Sequence, residues 1–523
     1  MDAVLISAYH QIKENARNPV VRKNVSLLFL GKAVGLAIVI GLITTFVPHV
    51  AHAQDAGTPD PIASINAINT AWVLIAAFLV FGMQVGFVML EAGFARERES
   101  VNILVEGIAD TCICGVLFWA IGFAFMFEDG NGFIGTHGFF LQGLPDTYLT
   151  TGVPLLAFWV FQYAFADTAS TITSGAMVGR CGFVGDILYS IGVTGFIYPI
   201  IGHWAWGPDG WLALRGFHDF AGSTVVHTIG GTISLAGAIA LGPRLGRVFK
   251  RDGGGPFLPH NVILGAVGGL ILWFGWYGFN PGSTLSALDA QGIGRVSFNT
   301  TMAACSGGLV CLFISYARSK KWDLGLTVNG FLGGLVGITC PCYWVDPIGA
   351  FFIGAVAGVV VVAGLELLEY LRIDDPIGAV PVHMFCGIWG TVSLGLFAAN
   401  AYGLPGPLGA STDTVLSGVF YGGGAHLLWV QTYGVALVAA ATMAVSVVLM
   451  YGVKATGFLR VSAEGELEGL DSHEHGQNAY PEFVVSRGLT TMASVPPSSH
   501  GSMPVPAPTM QAGASTSHIT PDR

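Results

Sequence analysis

The segment Asp219-Phe-Ala-Gly222-Ser-Thr-Val-Val226-His227 has a counterpart at Asp375-Pro-Ile-Gly378-Ala-Val-Pro-Val382-His383. Aspartate, glycine, valine and histidine recur at the same offsets, and each copy opens an apolar run. Most of the other histidines lie in loops, tails or the ends of runs. A helix rises about 1.5 Å per residue, so each histidine sits roughly 12 Å in from its aspartate. The second copy comes five apolar runs after the first and so enters from the opposite face. Together the two stretches use about 24 Å of a hydrocarbon core about 30 Å thick, which brings both rings towards the midplane. This pattern predicts an inverted repeat, runs one to five against runs six to ten. Imidazole suits such a place because its neutral form both donates and accepts, and it exchanges a proton near neutral pH. Two unrelated packed histidines are the bland alternative. The matched offsets weigh against it, since ionisable groups at membrane depth usually mark a path. For Asp219 and Asp375 the spacing predicts a structural role as N-caps.

Outward from this pair, eleven apolar runs are long enough to cross a bilayer: 70–94, 103–126, 153–177, 182–206, 219–241, 260–280, 296–317, 324–344, 346–370, 376–399 and 427–452. The expected fold is therefore an all-α polytopic membrane protein of eleven transmembrane helices, a five-plus-five inverted repeat and one extra helix. Composition agrees. Of the 523 residues 52% are hydrophobic and only 10% charged. Soluble domains carry about 25% charge, so a soluble enzyme is excluded. The 74 glycines suit helices that approach closely in lipid. There is no basic stripe for nucleic acid. Eight cysteines are too few for a disulfide framework, and the pairs Cys112/Cys114 and Cys340/Cys342 lack partners for a metal set. Neither a metal nor a cofactor is expected.

Loop charges set the orientation. With residue 70 outside, the inner loops hold thirteen basic residues, among them Arg96, Arg180, Arg244, Arg247, Lys321 and Arg372; the outer loops hold only Arg215 and Arg295. That bias predicts an outside N-terminus and a cytoplasmic C-terminus. Residues 1–53 carry a basic leader, an apolar stretch and the small-x-small site Ala51-His52-Ala53, which reads as a cleaved signal peptide. An uncleaved first membrane helix is the other reading. The transmembrane domain then spans 54–454. Residues 455–489 form a cytoplasmic regulatory tail, and 490–523, rich in Pro, Ser, Thr and Ala, are expected to be disordered.

Four stretches together resemble the ammonium transporter family (ammonium transporters, methylammonium permeases and Rhesus proteins). They are the Asp219 to His227 segment, Gly275-Trp-Tyr-Gly-Phe279-Asn-Pro-Gly-Ser283, Asp374-Asp-Pro through His383-Met-Phe-Cys-Gly-Ile-Trp-Gly390, and Gly469-Leu-Asp471 with His475-Gly476 through Tyr480. Met89-Leu-Glu-Ala-Gly93 is similar to the plant and cyanobacterial branch. The resemblance implies ammonium or ammonia as cargo, with methylammonium as a related one, a homotrimer in the cell's inner membrane, and a PII signalling protein as inner-face partner. It also implies roles. Phe161, Trp206 and Ser283 would recruit ammonium, Phe165 and Phe279 would form a stacked gate, and His227, His383 and Trp276 would line the pore and its proton relay.

Physical chemistry is consistent with those roles. Aromatic faces attract cations by roughly 0.5–2 kcal/mol. Ammonium donates hydrogen bonds where potassium cannot, and a dry apolar passage opposes a bare cation. Two departures stand out. Where the family often has Ala-Glu-Arg, this chain reads Val178-Gly179-Arg180, and Gly378 stands where the enterobacterial branch has an aspartate. Asp167, inside a run, either bonds to a neighbouring helix or biases the vestibule towards cations. A Rhesus-like gas channel and an ammonium sensor are the rival functions.

Overall fold

A computed structural model describes residues 61–148, 152–403 and 415–481, and every regular element among them is helical. The leader expected over 1–53 and the low-complexity end expected from 490 lie outside the described residues. In chain order the long helices are α1 Ile65–Phe94, α2 Glu97–Phe127, α3 Leu155–Gly175, α4 Phe183–Trp206, α5 Ser223–Leu241, α6 Val262–Gly282, α7 Ala290–Ser319, α8 Leu324–Thr339, α9 Pro347–Leu371, α10 Val380–Phe397 and α11 His426–Ala455. Two short helices follow, α12 Ala463–Glu468 and α13 Leu470–His475.

Each of the eleven expected runs coincides with one of these helices. Nine among the described residues, all but α3 and α8, are long and apolar enough to cross a membrane. The reasons for the two exceptions differ. α3 has 21 residues but carries buried Gln162, Asp167, Thr168, Ser170 and Thr171, which suit contact with protein and not with lipid. α8 has 16 residues, about 24 Å, shorter than a hydrocarbon core. Its missing length is supplied by the buried turn Cys340 to Val345.

Local chemistry sets the helix limits. Asn261, Asp289, Asp323 and Asp346 cap α6 to α9, each accepting from a main-chain N–H three residues on. Lys320 and Arg372 close α7 and α9 in the left-handed conformation. Large apolar side chains stay exposed on the exterior, for example Phe78, Ile108, Phe274, Ile348 and Val448. Such an apolar exterior belongs to a multi-pass membrane protein.

Charge gathers at the end bearing the basic loops. Arg244 forks onto Asp374, with Nε 2.8 Å from Oδ2 and Nη2 2.9 Å from Oδ1, and Arg247 pairs with Glu369. The residues after α11 pack onto this same end. Arg98 Nη1 donates to Leu467 O at 2.6 Å, Asn102 N donates to Asp471 Oδ1 at 2.9 Å, and His475 Nε2 lies 2.9 Å from Asn102 Oδ1. Arg460 binds Glu466 at 2.8 Å and donates to Leu241 O, the last carbonyl of α5, and to Pro243 O just beyond it.

Candidate functional site

Both copies of the repeated segment fold alike. The Asp219 carboxylate accepts from the N–H groups of Gly222, Thr224 and Val225 at 2.8–2.9 Å. Asp375 accepts from Gly378, Ala379 and Val380 at 2.8–3.1 Å. Gly222 and Gly378 take φ values of +116° and +83°, where a Cβ is strained, so each turn requires its glycine. Each helix then opens with a six-residue π turn, Ser223–Thr228 in α5 and Val380–Phe385 in α10, with its histidine inside it. Such turns are uncommon and cluster at functional sites.

The two turns meet. The His227 and His383 rings lie nearly parallel, 24° apart with centroids at 5.3 Å, and their Nδ1 atoms are 3.2 Å from one another. At that separation one Nδ1 must donate and the other accept, so the rings hold opposite tautomers; a proton gained at Nε2 of the donating ring, passed across the Nδ1 contact and matched by loss of the Nε2 proton of the other ring leaves the two tautomers exchanged. Trp276 and Phe279 stack on His227 at 5.2 and 5.4 Å. Trp276 is fixed by its indole N–H, which donates to Thr339 Oγ1 at 3.0 Å.

On the Asp219 side, Phe279 stacks on Phe165 at 4.1 Å and 28°. Beyond them lies a cavity of about 190 Å³ lined by Phe161, Phe165, Trp206 and Ser283, among others. The Trp206 indole donates to the Asp219 main-chain oxygen at 2.7 Å, which ties the cavity wall to the histidine turn. Ser283 Oγ donates to Phe279 O at 2.9 Å. With its proton committed, the hydroxyl offers the cavity an acceptor lone pair, which suits a hydrogen-bond donor.

On the Asp375 side, His383 borders a small cavity of about 20 Å³ with Phe87, Glu91 and Asn329. This leads into a groove of about 570 Å³ that shares Asn329, Ile377 and Gly378. The order is thus vestibule, stacked phenyl pair, histidine pair, small chamber, groove.

All eight residues singled out for recruitment, gate and pore lie on this line. Asp167 does not border the vestibule cavity; its polar neighbours are Gln84 of α1 and Thr111 of α2. At Gly179 the place where a side chain would begin is occupied by the Glu99 carboxylate, which pairs with Arg96, so the first turn of α2 supplies an acid there. Sequence reading passed over Glu91, Glu106, Asp110 and Asp186 as site residues, although all four are buried. The available signal was the one used for Asp167, an acid inside or at the edge of an apolar run.

The ammonium transporter family model matches residues 71–480. Ammonium transporter Amt2 of Archaeoglobus fulgidus is 41% identical over 429 residues, covering 80% of this chain and 89% of that protein. Ammonium transporter 1 member 3 of Solanum lycopersicum is 36% identical over 79% of this chain and 93% of its own length. Among solved structures, a sensor Amt protein superposes with a TM-score of 0.71 at 36% identity, covering 79% of this chain and 99% of that one. Mep2 of Saccharomyces cerevisiae gives 0.70 at 27%, with 79% and 97% covered. These likenesses run over the same helices that carry the two histidine turns, and the chain, a multi-pass membrane protein and not an enzyme, belongs to the ammonium transporter family.

Proposed function

We propose that the protein carries ammonium across the membrane by recruiting the cation, deprotonating it and passing ammonia through the histidine-lined pore, while the histidine pair relays the proton. The observation that carries this reading is the 3.2 Å contact between the Nδ1 atoms of His227 and His383, set between two cavities. Phe161, Trp206 and Ser283 gather ammonium in the outer vestibule, where ring faces and a free lone pair favour a cationic donor. Phe165 and Phe279 close the passage to a hydrated cation. Past them a bare charge is costly and neutral ammonia is not. The left-behind proton moves through the imidazoles, whose opposite tautomers form a donor–acceptor chain.

The chain is proposed to sit in the cell membrane with its N-terminus outside and C-terminus inside, as a homotrimer whose exposed apolar exterior meets lipid and neighbouring subunits. Its docked tail is proposed as the regulatory element and as part of the inner face that receives a PII protein. A sensor function is the second reading, favoured by the likeness to a sensor Amt protein.

Ammonium-evoked current on a supported membrane tests the mechanism. His383→Leu, of similar size, is expected to abolish the current. His383→Glu is expected to admit water and let potassium compete. An unchanged profile in both variants refutes the relay, and a wild-type protein that carries no current at all favours the sensor.

A further inference from the structure

The small chamber beyond His383 has a mostly apolar wall, with Phe87, Leu90, Ile172 and Val382. Three polar side chains face it: His383, Asn329 and Glu91. Asn329 is committed, its amide donating to Ile377 O at 3.0 Å. Glu91 is a carboxyl near the end of an apolar span, 3% exposed, with the Ser174 hydroxyl 3.3 Å from its Oε2. Phe87 and Glu91 are four residues apart on α1 and therefore share a face, Glu91 one turn further along, about 6 Å. The Phe87 ring lies 6.3 Å from that of His383. Imidazole and carboxyl thus follow one another along the pore and reach the same space. At about 20 Å³ the chamber holds one water or one ammonia.

We propose that Glu91 is the inner proton station of the pore, taking the proton from His383 and returning it to ammonia before release. The proposal rests on the histidine relay proposed above. In the first step an N–H bond of the His383 imidazolium breaks and an O–H bond forms on the Glu91 carboxylate, directly or through the single water the chamber holds. In the second, that O–H bond breaks and an N–H bond forms on ammonia, giving ammonium. Glu91 ends as the carboxylate it began as, His383 is left as the neutral imidazole it was before the proton reached it from His227, and no oxidant or co-reactant is needed. A carboxylate suits the task because, among the described residues, Glu91 is the one titratable side chain that lines the chamber with His383, whose other partner, His227, does not line it. The other acids whose charge bears on Glu91 are Asp186 from α4, Asp375 ahead of α10, and Glu106 and Asp110 from α2.

Glu91→Gln tests this, since it keeps the shape and an acceptor for Ser174 while removing the exchangeable proton. Full-length protein in proteoliposomes is read two ways: ammonium-evoked current, and neutral ammonia flux from the rate of internal alkalinisation. Current is expected to fall by about tenfold or more, while ammonia flux stays within about twofold of wild type. Glu91→Asp should restore part of the current. Wild-type current in Glu91→Gln, alongside its loss in His383→Leu, overturns the role of Glu91 and leaves the relay standing. Wild-type current in His383→Leu overturns the relay and this proposal with it. Loss of both current and ammonia flux in Glu91→Gln overturns the proposal in favour of a packing role.

Discussion

Replacing Asp219 by alanine tests how His227 is held. The carboxylate accepts three main-chain N–H groups at 2.8–2.9 Å, and the side chain is only 4% exposed, so water cannot take its place. A buried donor left without an acceptor costs about 1–3 kcal/mol. Taking about 1–2 kcal/mol for each of the three, the loss is about 3–6 kcal/mol, a large part of the ~5–15 kcal/mol that holds a folded protein together. The π turn that carries His227 begins one residue after Gly222, so its register against α10 should be lost as well. Asparagine keeps one acceptor oxygen and should fall between wild type and alanine. The unfolding midpoint of detergent-purified protein and the ammonium-evoked current are the two readouts, and both should rank wild type above Asn above Ala. A wild-type midpoint in the alanine variant would refute the capping argument. A wild-type midpoint in Asp219→Asn with its current gone would assign the charge itself to the cargo.

Asp374→Asn should cost about 3–5 kcal/mol, because it leaves the buried Arg244 unpaired. Burial alone would raise the Asp374 carboxyl, but the Arg244 fork and the Arg180 charge outweigh it and hold it below the ordinary range. Its folded value therefore lies below the unfolded one of about 3.9, so its stabilisation is intact above roughly pH 4 and fades as pH falls further. Melting curves of wild type and Asp374→Asn compared from neutral pH downwards should converge only in that acid range; convergence near pH 6 would contradict it. In the tail, burial lowers His475 against the raising effect of Glu474 and Asp471. Protonation thus favours the undocked tail, and docking should weaken as pH falls through about 6.5. Amide exchange over α13, corrected for intrinsic rates, should speed up between about pH 7 and pH 5.5 in wild type and not in His475→Asn.

The sequence alone determined the helical class, the approximate limits of the runs and the matched Asp-Gly-Val-His turns, because each of these is written in residues a few positions apart. Hydropathy over some twenty residues, a capping aspartate and a glycine forced to positive φ are local facts. Even there, the sequence missed that α3 is too polar and α8 too short to meet the criterion of a free membrane span, since whether a polar helix is sheltered depends on what packs around it. Family resemblance, and not periodicity, singled out Phe161, Phe165 and Phe279 from 34 phenylalanines. Only the tertiary structure decided that Phe165 stacks on Phe279, that the two Nδ1 atoms come within 3.2 Å across 156 residues of chain, and that Asp167 turns towards α1 and α2. It also decided that Glu91 shares a chamber with His383. Those are meetings between distant helices, set by close packing of side chains, and a linear pattern carries the shape of each partner but not the place where they touch.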